Sequence, residues 1–466
     1  MLAIISDLHL TDGTSGEIIS ESAFRLFKNR LSDMAYDASW RCKSDDEKEK
    51  FYKPIETLDI VLLGDILDMI RTEKWNDAPE SVMPWAENRG DDFFKLADEI
   101  VTGILSFNKA SFDILKGIAE GDLKIPQNMS IADPITKAKE KVRYIAGPQA
   151  PVKVNIYYMI GNHDWFLYIK DPRMNAIRNK VIDALGLANK INVPFPHTRA
   201  DCKEIELLQD AHRIFAEHGD GFDPTNFQAP DREKSSIGDV VVIKILNAIP
   251  SKASRHLNKN DGVAHNQTEI DLFIKELHEI DNLRPYSLAP DWITDLMKKT
   301  KLDATLINQV IGETLKEVLD DFANADLIKK DFWLKMKMNL FSFILPRKLN
   351  IKRLGKWLDH TSFSKDKPET YRKYAMATSN NKELDFFVMG HTHYAEVVPL
   401  YNYADTIDGH TRSKIYLNTG TWRTVHFKGI NCDDFISFKT MTIASFYKDD
   451  ERKCRTFEYW TGSLAI

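Results

Sequence analysis

Five short apolar runs, each followed directly by a motif of Asp, Asn or His, constrain the folds open to this chain more than any other feature. The runs are Leu2 to Ser6, Leu58 to Leu63, Val154 to Ile160, Arg213 to Glu217 and Leu384 to Met389. Each has the length and composition of one buried strand. They hand over in turn to Asp7-Leu8-His9, Gly64-Asp65, Gly161-Asn162-His163-Asp164, His218-Gly219-Asp220 and Gly390-His391-Thr392-His393. Layered α/β sheets place functional groups in the crevice outside the strand ends, so groups from both extremities of a chain can meet there. The pattern predicts an α/β fold with one site gathered from five strand ends.

The donor types indicate what that site binds. Asp7 and Asp65 offer hard carboxylate oxygens, Asn162 an amide oxygen, and His9, His218, His391 and His393 imidazole nitrogens. This mixture suits Mn²⁺, Fe or Zn²⁺ better than Ca²⁺, which prefers an all-oxygen shell, and Mn²⁺ is the first expectation. Two such ions sharing a carboxylate sit ~3.5–4 Å apart and activate water against a phosphoester. Asp65, at the end of the most apolar run, is the candidate for the shared ligand. An i, i+2 pair in extended backbone points its rings to one side, which would let His391 and His393 each reach one ion. A lone Gly-Asp or a lone histidine carries little information, and the ordered set carries the argument. Asp68 has two readings, orienting a ligand or capping the following helix.

With these residues in view, the chain resembles the calcineurin-like metallophosphoesterase family, whose pattern is Asp-x-His, Gly-Asp-x-x-Asp, Gly-Asn-His-Asp/Glu, His and Gly-His-x-His. The matching positions are Asp7 and His9, Gly64 to Asp68, Gly161 to Asp164, His218, and Gly390 to His393. The resemblance covers the core strands and leaves two insertions outside it. It implies a four-layered α/β/β/α sandwich and a hydrolase of phosphodiester, pyrophosphate or phosphomonoester bonds. Asp7, His9, Asp65 and His393 would hold one metal, and Asp65, Asn162, His218 and His391 the other. His163 would lie just outside the metals, oriented by Asp164, to stabilise the transition state or protonate the leaving oxygen. Met69 and Asp164 stand where protein serine/threonine phosphatases of the superfamily carry Arg and Glu, which disfavours that branch. The branch of bacterial UDP-2,3-diacylglucosamine pyrophosphatases is more similar, although it carries Arg at the position of His163 and a shorter insertion. The alternatives are a nuclease or cyclic-nucleotide phosphodiesterase and, from another class, a non-catalytic scaffold on the same fold. Degraded ligand positions would favour the scaffold, and none is degraded.

The 466 residues, 43% of them hydrophobic, suffice for more than one folding unit with a sizeable core. A formal net charge of −6 argues against a global attraction to nucleic acid or anionic membrane. Residues 1–221 read as the first part of the phosphoesterase core, with a helical insertion around 75–149 and a further polar stretch from Ser20 to Pro54. Residues 222–382 read as a helical cap, and 383–466 as the second part of the core. In the cap, Ile307, Val310, Ile311, Leu315, Val318, Leu319 and Phe322 repeat at three and four, the stripe of an amphipathic helix. The segments Ile415 to Arg423, Phe435 to Tyr447 and Thr456 to Trp460 read as strands closing a second sheet. Cys42, Cys202, Cys432 and Cys454 lack CxxC spacing and read as reduced thiols. The N-terminus enters a strand without a basic region or cleavage site, and no apolar run reaches the ~18 residues of a membrane span. A cytoplasmic protein, soluble or peripheral to a membrane, is expected.

Between Lys329 and Leu358, nine Lys and Arg residues alternate with aromatic, aliphatic and Met residues, and acidic residues are nearly absent. A lid helix with solvated lysines, a surface for anionic lipid or a lipid-linked substrate, and a nucleic-acid surface all fit this composition. Its aliphatic and Met content leans towards lipid over nucleic acid. Near the last motif, Tyr394 and Trp422 read as core aromatics, whereas Arg423 is a candidate to hold a pair of phosphate oxygens.

Overall fold

The computed structural model describes the chain apart from residues 17–18, 44–45, 132–143, 229, 260–266, 284–287, 331–367, 380–382, 405–410, 431–433 and 465–466. The architecture is mixed α/β, as the strand pattern predicts. Two main sheets carry the strands β1 (Leu2–Ile5), β2 (Thr57–Leu63), β3 (Lys153–Met159), β4 (Ile214–Ala216), β5 (Phe386–Met389), β6 (Ala395–Ala404), β7 (Thr411–Thr419), β8 (Thr424–Lys428), β9 (Phe435–Phe446) and β10 (Phe457–Ser463). The first sheet has the order β8-β9-β1-β2-β3, with β10 also paired to the long β9. Within it β1, β2 and β3 are parallel, Leu2 standing opposite Asp59 and Leu58 opposite Val154. The second sheet has the order β4-β5-β7-β6. Its β4, β5 and β7 are parallel, Ile214 opposite Phe386 and Phe386 opposite Ile415.

The alternation along these strands explains their packing. Successive side chains point to opposite faces, and both faces here are apolar. Leu2 and Ile4 of β1, Val61 and Leu63 of β2 and Met159 of β3 meet Ile214, Ala216, Phe386, Val388 and Leu417 of the second sheet in one buried cluster. On the other face of the first sheet, Ala3, Ile5, Ile60, Leu62 and Ile156 pack under helices. The helix Glu21–Ala38 supplies Phe24, Phe27, Leu31 and Met34 to that face. Phe387, Met389 and Tyr416 on the outer face of the second sheet are covered by Tyr371 and Ala375 of the helix Pro368–Thr378.

The expectation that all the late strands close a second sheet is corrected. Only β6 and β7 join it, while β9 pairs antiparallel with β1, Leu2 opposite Phe446, and brings β8 and β10 into the first sheet. Ala444 and Phe446 of β9 add to the apolar layer between the sheets, which accounts for the placement. The cap helix spans Ala304–Asn324 and buries all seven residues of the expected stripe. Its stripe belongs to the same apolar cluster as the helix-covered face of the first sheet, so the insertion shares the core's interior.

The expectation of four reduced thiols is also overturned. Cys42 and Cys454 are joined as a disulfide with Cα atoms 5.8 Å apart, tying the strand Trp40–Lys43 to the turn Glu451–Lys453. Cys202 is a free thiol, and Cys432 lies outside the described residues. Among the described residues no helix is long and apolar enough to cross a membrane. Of the basic segment, Lys329 and Lys330 end the helix Asp326–Lys330, with Lys330 2.6 Å from Glu87. The rest of that segment lies outside the described residues.

Candidate metal centre

Each motif follows the C-terminal end of a parallel strand, and the two sheets present those ends to a common crevice. The turns that leave the strands are unusual. Asp7, His9, Asp65, His391 and His393 all have positive φ, between 46° and 68°. Non-glycine residues rarely adopt this left-handed region, and such strain gathers at functional sites. It also corrects the expectation about His391 and His393. Their backbone is left-handed rather than extended, so the two rings diverge to separate donor groups. The adjoining glycines are needed for lack of space: a Cβ on Gly161 would collide with Asp65 and His218, and one on Gly390 with Asp7 and Ser6.

All seven expected ligands come together in two neighbouring groups. Asp7, His9 and His393 form one cluster of donor atoms within 4.8 Å of each other, and Asp65, His218 and His391 form another. Asp65 lies between them, with Oδ2 3.6 Å from His9 Nε2 and 3.2 Å from His218 Nε2. Asn162 Oδ1 is 2.9 Å from His391 Nδ1, which brings the amide to the second group. The structure thus contains buried His/Asp clusters at metal-binding separations.

The hydrogen bonds around these groups test whether a cation fits. His9 Nδ1 lies 3.0 Å from Asp68 Oδ2, His218 Nδ1 2.9 Å from the Leu63 carbonyl and His391 Nε2 3.3 Å from Asp223 Oδ2. Each neutral ring therefore spends its proton on an outer acceptor. The nitrogens left inside carry lone pairs and face other acceptors: His9 Nε2 is 2.9 Å from His393 Nε2, and His391 Nδ1 faces Asn162 Oδ1. His218 Nε2 is buried, with Asp65 Oδ2 3.2 Å away and no well-aligned hydrogen bond among the described residues. Lone pairs opposed at such distances repel unless a proton or a cation lies among them, so the donor set fits divalent ions. With carboxylates alone as neighbours, protons take that place. Burial opposes charge on His218, but Asp65 and Asp7 outweigh it and hold its pKa well above the usual value. Burial likewise disfavours ionised Asp65, yet His218, His163 and His9 hold its carboxyl far below the usual range.

His163 lies at the edge of this cluster. Its side chain is 12% exposed and that of His393 11%, against 4% or less for His9, His218 and His391. The opening is therefore on the side of His163 and His393. Asp68 Oδ1 is 2.7 Å from His163 Nδ1, and the His163 N–H donates to Asp65 Oδ1 at 2.7 Å. Burial acts against the imidazolium, but Asp68 and Asp65 prevail and raise its pKa to about 9. His163 also lies within a donor group with His9 and Asp65.

The role expected of Asp164 belongs to Asp68. Asp164 is fully buried and turned away from the crevice, accepting from Tyr158 Oη at 2.6 Å and from the backbone N–H groups of Ile66 and Gly161 at 2.9 and 2.6 Å. It fastens the Asp65 turn to the Asn162 turn, and these backbone donors leave it no reach to the His163 ring. Of the two readings of Asp68, the orienting one holds, since it binds His9 and His163; it also accepts from the Arg71 N–H at 3.1 Å, but the helical turn that follows, Glu73–Trp75, is capped by Thr72. Asp223 went unnoticed in the sequence because nothing in its spacing from His218 marks it. Arg423 is buried, with Nη1 3.3 Å from Asp281 Oδ2, while its Nε and Nη2 have no partner among the described residues. Trp422 packs on Phe24 and Phe27 as a core aromatic, and Tyr394 is half-buried. No protein-family model matches the chain, and no curated protein sequence matches it.

Proposed function

We propose that this chain is a hydrolase of phosphoric esters that works with two divalent cations, Mn²⁺ being the best fit to the donors. The observation that carries the reading is the convergence of seven donors from five strand ends on two neighbouring groups with Asp65 within reach of both, and with inward lone pairs that only protons or cations can reconcile. Asp7, His9, Asp65 and His393 would hold one cation, and Asp65, Asn162, His218 and His391 the other. Bound there, the pair supplies Lewis acidity towards phosphate oxygens and lowers the pKa of water. The apolar layers on both faces of each sheet support reading the fold as the four-layered α/β/β/α sandwich of the calcineurin-like metallophosphoesterases.

The chain's own residues do the rest. Asp68 holds the Nδ1 proton of His163, leaving Nε2 as the nitrogen that meets substrate at the open side of the crevice. Asp68, which favours the protonated ring, keeps a proton on His163 that it can donate to the phosphate or to the departing oxygen. Asp68 also holds His9, so one carboxylate sets a ligand and the proton donor together. The substrate class is a phosphorylated small molecule or lipid-linked phosphate.

The test is hydrolysis of p-nitrophenyl phosphate and bis-p-nitrophenyl phosphate by metal-stripped protein with and without added Mn²⁺. Turnover is expected only with metal. The His163→Ala variant should bind the same amount of Mn²⁺ as the parent and lose ~10²- to 10⁴-fold in kcat. A drop in bound metal would place His163 among the ligands, and unchanged turnover would remove it from the mechanism.

A further inference from the structure

The stretch Asn418-Thr419-Gly420-Thr421 belongs to none of the five motifs, yet it turns back onto the first of them. β7 ends on Asn418 and Thr419, Gly420 bends the chain with a φ of 60°, and Thr421 leads towards β8. Ser6, Asn418, Thr419 and Thr421 are at most 3% exposed, so their polar groups need partners inside the protein. They find them around Asp7. Thr421 Oγ1 donates to the Asp7 carbonyl at 2.6 Å, and Ser6 Oγ donates to Asp7 Oδ2. Thr419 Oγ1 lies 2.5 Å from Ser6 Oγ.

The direction of these bonds follows from counting protons. A hydroxyl has one proton to give, and an ionised carboxylate only accepts. The Ser6 proton therefore goes to Asp7, and Thr419 donates to Ser6, the Met389 carbonyl at 3.4 Å being its weaker acceptor. A one-way chain runs from Thr419 through Ser6 to Asp7 Oδ2. Asn418 ties the same turn to the last motif, since its Nδ2 donates to the Gly390 carbonyl at 2.8 Å and its Oδ1 accepts from the Gly420 N–H at 3.0 Å. The His391 N–H then reaches both oxygens of Asp7, at 3.0 and 3.1 Å. The two oxygens of Asp7 consequently differ. Oδ2 is engaged by the Ser6 hydroxyl, whereas Oδ1 lies 3.8 Å from His9 Nε2 and 3.5 Å from His393 Nε2, facing the first donor group. Asp7 needs restraint from outside, because its φ of 53° is one that non-glycine residues rarely hold unaided.

We infer that Ser6, Thr419 and Thr421 are positioning residues of the metal centre, fixing Asp7 so that it offers Oδ1 to the cation held with His9 and His393. This rests on the dinuclear reading and concerns one of the two cations. The test is calorimetric titration of metal-stripped protein with Mn²⁺, comparing the parent with Thr419→Val, Thr421→Val and Ser6→Ala. Each variant should weaken one of two equivalents by ~10- to 100-fold, the usual cost of losing an outer partner, and leave the other unchanged. In a His218→Ala background, where the first group supplies the remaining equivalent, Thr419→Val should show the same loss. In a His393→Ala background it should add none. Thr419→Ser separates positioning from packing: it keeps the hydroxyl and loses the methyl group, whereas Thr419→Val does the reverse. Parent-like Mn²⁺ affinity is expected of Thr419→Ser, and a larger loss there than in Thr419→Val overturns the inference. Equal weakening of both equivalents overturns it as well. Should a valine variant fail to fold, Ser6→Ala, which removes the middle of the chain of hydroxyls, decides by the same criteria. If the parent binds no Mn²⁺, the dinuclear reading fails and the inference with it. If the parent binds two equivalents and the hydroxyl variants match it, the inference alone fails.

Discussion

At the scale of single residues, the centre depends on which nitrogen of each imidazole keeps its proton. Asp223 sets this for His391 from 3.3 Å, and is itself fixed by accepting from the Thr225 N–H at 2.8 Å and Asn226 Nδ2 at 2.6 Å. Removing such an outer partner typically costs ~10- to 100-fold in metal affinity. Asp223→Ala should show that loss in a Mn²⁺ titration, with Asp223→Asn closer to the parent because its amide oxygen can still accept. Protonation gives a second expectation. The pKa of His163 is raised from 6.5 to about 9, so its contribution to the metal-free fold is complete below pH 6.5 and lost as pH rises through about 9. Asp65 and Asp68 are shifted down from 3.8, so theirs is present above about pH 4 and lost on acidification. Thermal melting of metal-free protein should thus peak between about pH 4 and 6.5, whereas Mn²⁺ affinity should rise with pH as the competing protons leave. A metal-free melting temperature that climbs steadily from pH 6.5 to 9 would contradict the proton assignment.

At the scale of elements, the parallel strands were legible because apolar runs of strand length ended on chemically marked residues. Leu58 to Leu63 falls inside β2, and Leu384 to Met389 contains β5. The cap helix was legible too, since its stripe at three and four leaves one arrangement with an apolar face. The sheet membership of β9 was not, because β-branched and aromatic content says that a segment is a strand without saying which edge it joins. Nor were the left-handed turns, as Asp and His have no sequence mark for positive φ. The disulfide escaped because Cys42 and Cys454 are 412 positions apart and only the completed fold brings them together. The shared apolar cluster of cap and core has a direct consequence. Leu315→Ala in the Ala304–Asn324 helix should destabilise by ~2–5 kcal/mol. Because that cluster is continuous with the outer face of the first sheet, chemical denaturation followed by helix signal and by Mn²⁺ retention should give coincident transitions. Two separated transitions would show the cap to be an independent unit.

At the scale of the whole molecule, two sheets aim the C-terminal ends of their parallel strands into one crevice. The site was readable as a set of donors, Asp7, His9, Asp65, Asn162, His218, His391 and His393, since their order along the strands is a chemical pattern. The partners that make it work were less so: Asp68 had two readings, Asp164 was given a role that belongs to Asp68, and Asp223 is carried by a turn whose position only packing determines. Everything proposed about activity follows from two cations sharing Asp65. The most direct test is calorimetric titration of metal-stripped protein with Mn²⁺. Two equivalents per chain are expected, with His218→Ala losing one of them and Asp65→Ala weakening both; no binding, or a single equivalent indifferent to both substitutions, would contradict the dinuclear centre.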